Sequence, residues 1–121
     1  MLQVKLEKPT IHNSRVVALS KGRFAVISLG SVGLVGAYHW KAIMWNFRWY
    51  AYSTRRIDGT RCRVAMHRLL ADTPPGEVCH HYNKNSLDNR LGNLLNQMPR
   101  HHRELHRIRR WGRKNQRKTT I

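Results

Sequence analysis

Residues 77–111, EVCHHYNKNSLDNRLGNLLNQMPRHHRELHRIRRW, decide how this chain is organised. A short extended run over 77–81 leads into a polar loop over 82–93, rich in Asn, and an apolar run over 94–98 returns as a second strand. Pro99 suits the first turn of a helix, which is expected to pass through His102 and His106 towards Trp111 before Gly112 ends it. Strand, long polar loop, strand, helix is an α+β order.

Upstream, Met66 to Leu70 reads as a helical turn, and Asp72, Thr73, Pro74, Pro75 and Gly76 stop it because two prolines exclude a continuing helix. Before that, Trp45, Phe47, Trp49 and Ala51 alternate with Asn46, Arg48, Tyr50 and Tyr52, the period of a strand with one buried face. Asp58 and Gly59 supply a tight turn, and Cys62, Val64 and Met66 alternate with Arg61, Arg63 and Ala65 on the return strand of a hairpin. Residues 15–35, with Val, Leu and Ile broken by Gly22, Gly30, Gly33 and Gly36, favour short strands, and residues 1–14 read as an arm or edge strand. Three parts are therefore expected: a β-rich N-terminal region over 1–71, a second module over 72–111 and a basic tail over 112–121.

The 121 residues carry 23 Lys plus Arg against 6 Asp plus Glu, a formal charge of +17, which calls for a polyanionic partner. An apolar content of 40% suffices for one small core, so disorder throughout is excluded. The longest stretch without formal charge, residues 24–40, is too short and too rich in Gly and Ser to span a bilayer. Cys62 and Cys79 alone make neither a four-thiolate zinc site nor a disulfide scaffold, which points to a reducing, cytoplasmic setting. Trp40, Trp45, Phe47 and Trp49 are expected in the core, because an aromatic stripe in a small domain is more often core than stacking platform.

Five of the eight histidines, His80, His81, His101, His102 and His106, fall within 27 residues. On a helix His102 and His106 project from one face and can share an ion, while on a strand His80 and His81 point to opposite sides. One of that pair can bind metal while the other does different work. A three-His site with an open position is a catalytic metal geometry, and a neutral imidazole beside it can act as a general base near pH 7.

The run over 79–94, Cys-His-His-Tyr-Asn-Lys-Asn-Ser-Leu-Asp-Asn-Arg-Leu-Gly-Asn-Leu, resembles the core of HNH endonucleases of the phage and intron homing type. Twelve residues lead from His81 to Asn93 and nine more to His102, the order that names the family. Met66-His67-Arg68-Leu69 and Pro74-Pro75-Gly76 also resemble what precedes the motif in that family. The resemblance implies a ββα-metal module over 72–111 in a phage-infected or bacterial cell. His81 is then the general base, Asn93 the residue that holds the loop and orients that imidazole through the backbone, and His102 a metal ligand. His80 stands where homing-type members carry a metal-binding Asp. Together with His106 it is more similar to the toxin DNases of the colicin type, which hold one ion with three imidazoles. One divalent ion is implied, and imidazoles favour Zn, Ni or Mn over Mg.

The expected partner is DNA, with RNA open. Arg61 and Arg63 on the hairpin are candidate groove readers, and Arg90, Arg100, Arg103, Arg107 and Arg110 candidate phosphate contacts. One such site cuts one strand; cutting both needs a homodimer or two events. The rival reading is a non-catalytic basic nucleic-acid-binding protein with a structural metal site. An anionic-surface domain fits poorly, since the C-terminal segment lacks a broad apolar face.

Overall fold

A computed structural model describes residues 6–99. Of these, 44% lie in strands and 18% in helical turns, so the fold is β-rich, which corrects the α+β, ββα class expected from sequence. The weight of the fold lies in two three-stranded sheets, built mostly from the region over 1–71 that the sequence marks as β-rich. The expected helix over 99–111, and with it the tail over 112–121, falls outside the described residues apart from Pro99.

The first sheet pairs β1 (Ser14–Ala18) antiparallel with β2 (Phe24–Ser28). The second is a meander of β3 (Lys41–Trp45), β4 (Arg48–Ile57) and β5 (Thr60–Ala65). Asp58 and Gly59 join β4 to β5 with φ of +53° and +77°, the doubly left-handed turn whose twist matches that of the strands, as the sequence indicates. The β3–β4 turn is a finding: Asn46 and Phe47 take φ of +52° and +66° and break the alternation that otherwise runs through them. Phe47 is consequently 92% exposed and Trp45 38%, against the expectation that both lie in the core. Trp49 is half-buried under the Arg23 guanidinium, 4.5 Å from its ring centre, and Trp40 is half-buried with its indole N–H donating to the Val35 carbonyl at 2.9 Å.

Two short helices follow the strands, α1 (Val32–Gly36) and α2 (Met66–Ala71). Asp72 ends α2 in the left-handed region with φ of +50°, closing the helix where the Pro-Pro pair begins. The third sheet pairs β6 (Val78–His81) with β8 (Leu94–Gln97) antiparallel, placing His80 opposite Leu95 and His81 opposite Leu94. Between them the polar loop contributes β7 (Asp88–Asn89), which joins β2 in parallel and so ties the loop to the N-terminal sheet. The apolar core is small: Ala25, Ile27, Val35, Ala51 and Met66, with Val17, Leu19, Trp40, Leu70 and Leu87 packed around it. Among the described residues no helix is long and apolar enough to cross a membrane.

Candidate active site

Where β4 begins and β6 ends, a cavity of about 500 Å³ opens between the second and third sheets. Arg48, Tyr50, His80, His81, Tyr82 and Lys84 are among the residues that line it, and among the described residues no carboxylate does. Two cations, two imidazoles and two phenols can together receive an anion. Two hydrogen bonds tether the start of β4 to the polar loop: the Arg48 guanidinium donates to the Lys84 carbonyl at 3.4 Å, and the Ser86 hydroxyl donates to the Trp49 carbonyl.

His81 is held from within the loop. Its Nε2 lies 2.7 Å from Asn89 Oδ1. With Asn89 Oδ1 as the acceptor, Nε2 carries the proton and Nδ1 keeps the lone pair, while Asn89 Nδ2 is buried without a partner among the described residues. Burial lowers the His81 pKa, and the Arg48 charge lowers it further, against the Asn89 hydrogen bond and the Asp88 carboxylate, which raise it. The net direction keeps the ring neutral at pH 7. A fixed neutral imidazole beside two cations has what a general base acting on a phosphate-bound water requires.

The loop is fastened by polar bonds in place of apolar packing. Asn93, fully buried, accepts the Tyr82 N–H on its carbonyl at 2.8 Å and the Asn83 N–H on Oδ1 at 2.9 Å. Its Nδ2 donates to Asn83 Oδ1 at 2.9 Å and to the Asp88 carbonyl at 2.8 Å. Arg90 grips Asp88 in a two-pronged ion pair, with Nε 2.8 Å from Oδ1 and Nη2 2.7 Å from Oδ2, and donates to the Glu7 carbonyl through Nη1. Burial raises the Asp88 pKa, but the Arg90 and Asn83 hydrogen bonds outweigh it and hold the carboxyl below its ordinary value. Arg90 is only 7% exposed and fully engaged, so the phosphate contact expected of it is replaced by a structural one.

Behind His81 sits His67, 1% exposed, with neither ring nitrogen partnered among the described residues. The His67 and His81 ring centres are 5.1 Å apart, and Tyr50 stands 5.6 Å from the first and 6.2 Å from the second. Burial above all, then repulsion by His81 and Arg68, pushes the His67 pKa down to about 3. The unfolded chain takes up a proton near pH 6.5 that the folded chain refuses until about pH 3, so this residue's destabilising effect grows as pH falls between those values. By pH 4 it reaches about 3 kcal/mol. His67→Phe is expected to raise stability at pH 7, by relieving unpaired nitrogens, and to raise it more at pH 4. Urea unfolding of both proteins at the two pH values measures this, and equal pH dependence would contradict it.

Of the residues singled out from sequence, the cavity collects His80 and His81. Cys79, two residues before His81, also lines it, and its thiol donates to the His67 carbonyl at 3.7 Å. Asn93 lies behind them as the loop's fastening. Arg61 and Arg63 are exposed on β5 and do not line the cavity; Arg63 stacks over Tyr52 at 5.4 Å. His102, His106, Arg100, Arg103, Arg107 and Arg110 lie outside the described residues. For the implied divalent ion, His80 fits the donor role: it stands on the cavity wall, and burial lowers its pKa, favouring the neutral form a metal needs. Among the described residues no three His, Cys, Asp or Glu side chains are grouped to hold an ion, and the other two implied ligands, His102 and His106, lie outside the described residues.

Sequence reading missed Arg48, Lys84, Tyr50 and Asn89. Arg48 and Tyr50 sat on the face assigned to solvent, Lys84 was one of many polar loop residues, and Asn89 was quoted in the motif without a role. No family model, curated protein or solved structure matches the chain.

Proposed function

We propose that the protein is a metal-dependent endonuclease with HNH-type chemistry that hydrolyses phosphodiester bonds in DNA. The observation that carries this reading is His81, neutral and held by Asn89, on the wall of a cavity that also presents Arg48 and Lys84. Arg48 and Lys84 seat the phosphate and offset its charge as the pentacoordinate transition state forms. His81 Nδ1 removes a proton from water; the water oxygen bonds to phosphorus, the P–O3′ bond breaks, the departing 3′-oxygen takes a proton from solvent water, and the imidazolium returns its proton to solvent, giving a 5′-phosphate and a 3′-hydroxyl. His80, His102 and His106 would hold the ion, which when bound supplies a positive charge that polarises the phosphoryl group.

The test is conversion of supercoiled plasmid by the full chain, with and without chelator, followed by addition of Zn, Ni, Mn or Mg. Cleavage that chelator abolishes and one of these ions restores is expected. A protein that retains the plasmid in a binding assay yet leaves it intact with every ion is the non-catalytic binder instead.

A further inference from the structure

The two hairpin turns of the second sheet share one backbone geometry and differ in chemistry. The β4–β5 turn uses Asp58-Gly59, with glycine at the second left-handed position. The β3–β4 turn places Phe47 there, at φ of +66°. A bulky aromatic is strained in that region, where glycine is not. Burial does not offset the strain, because Phe47 is 92% exposed. Met44 and Trp45 beside it are 51% and 38% exposed, so the tip is an apolar knob projecting from a strongly basic protein.

Its place in the fold says what it meets. Arg48, the next residue, lines the cavity, and the two bonds from Arg48 to Lys84 and from Ser86 to Trp49 fix the base of the hairpin to the loop that follows His81 and carries Asn89. Phe47 does not line the cavity but directly precedes Arg48, so the turn lies at the cavity's rim, within reach of the bases of a strand whose phosphate sits between Arg48 and Lys84. We propose that Phe47 stacks on a nucleobase of the bound DNA strand, making the β3–β4 turn a base-stacking clamp beside the phosphate site. A rigid ring on a fixed turn, next to Arg48, is the chemistry that holds a single strand without reading its sequence. The proposal rests on the reading of the cavity as a DNA phosphate site, and it holds or fails apart from whether the bond is cut.

The experiment uses the full chain with chelator present. The probes are a single-stranded DNA containing 2-aminopurine and an all-abasic strand of the same length. The wild type is expected to quench the 2-aminopurine emission. Phe47→Gly should bind the base-containing strand about 5- to 150-fold more weakly without quenching it, while binding the abasic strand as the wild type does. Thermal unfolding of Phe47→Gly should come at the same or a higher temperature, since glycine suits the turn, and Phe47→Trp should restore quenching. Equal affinity of Phe47→Gly and wild type for the base-containing strand overturns the proposal, as does an equal loss on the abasic strand. So does a variant that unfolds earlier than the wild type, which would make Phe47 a structural residue. Stacking found in a protein that cuts no plasmid refutes the nuclease reading alone; plasmid cleavage with no stacking refutes the clamp alone.

Discussion

His81→Ala is expected to cut plasmid about a hundred- to ten-thousand-fold more slowly than the wild type while binding DNA nearly as well. The affinity should survive because it is carried by Arg48, Lys84 and the wider positive charge, not by a neutral ring. Chemistry should suffer because Nδ1 is the proton acceptor in the tautomer that Asn89 imposes. Asn89→Leu should lose part of the same factor, and the double variant little more than His81→Ala alone, since both act through one imidazole. Burial lowers the His81 pKa, so the acid limb of the pH–rate profile should fall below the ordinary histidine value near 6.5, with the rate dropping as the base becomes protonated. Plasmid nicking across pH reads both. A normal rate in His81→Ala would place the base elsewhere and remove the ground for HNH chemistry in this chain.

What the sequence disclosed and what it hid divide along the range of the interactions involved. The Asp58-Gly59 turn, the end of α2 at the Pro-Pro pair and the β6–loop–β8 order depend on neighbouring residues, and residue type alone exposes them. The Asn46-Phe47 turn was hidden because apolar and polar residues keep alternating through it and no glycine marks it. Reading on in period two put Phe47 on a buried face, and the turn turned it out. The fold class failed because strand outweighs helix among the described residues, and one pairing that binds them was hidden: through the two-residue strand Asp88–Asn89 the polar loop joins β2, some sixty residues earlier in the chain. Short parallel pairing of that kind has no local signature. Arg90 shows the same limit at the site. Its neighbours suggest a free cation in a basic chain, whereas the fold buries it against Asp88 and the Glu7 carbonyl. Arg48 went the other way, from an anonymous strand position to the wall of the cavity.

Asn93→Ala is expected to act on stability before it acts on rate. The side chain is fully buried and makes three hydrogen bonds, to the Asn83 N–H, to Asn83 Oδ1 and to the Asp88 carbonyl. Alanine leaves those groups without the partner, at about 1–3 kcal/mol for each one that water cannot reach. A total of several kcal/mol is a large share of the roughly 5–15 kcal/mol that holds a domain folded, and the small apolar core here leaves little reserve. Asn93→Asp should not rescue it: the carboxylate keeps an acceptor for the Asn83 N–H but loses both Nδ2 donors and puts a second negative charge beside the buried Asp88. Urea unfolding of both variants decides the matter, and a change smaller than about 0.5 kcal/mol in Asn93→Ala would mean that the loop is held by its backbone alone. If the large loss is found, slow cleavage by an Asn93 variant says nothing about orienting the imidazole. That task then belongs to Asn89, whose amide oxygen touches the ring, and only a variant that unfolds like the wild type can measure it.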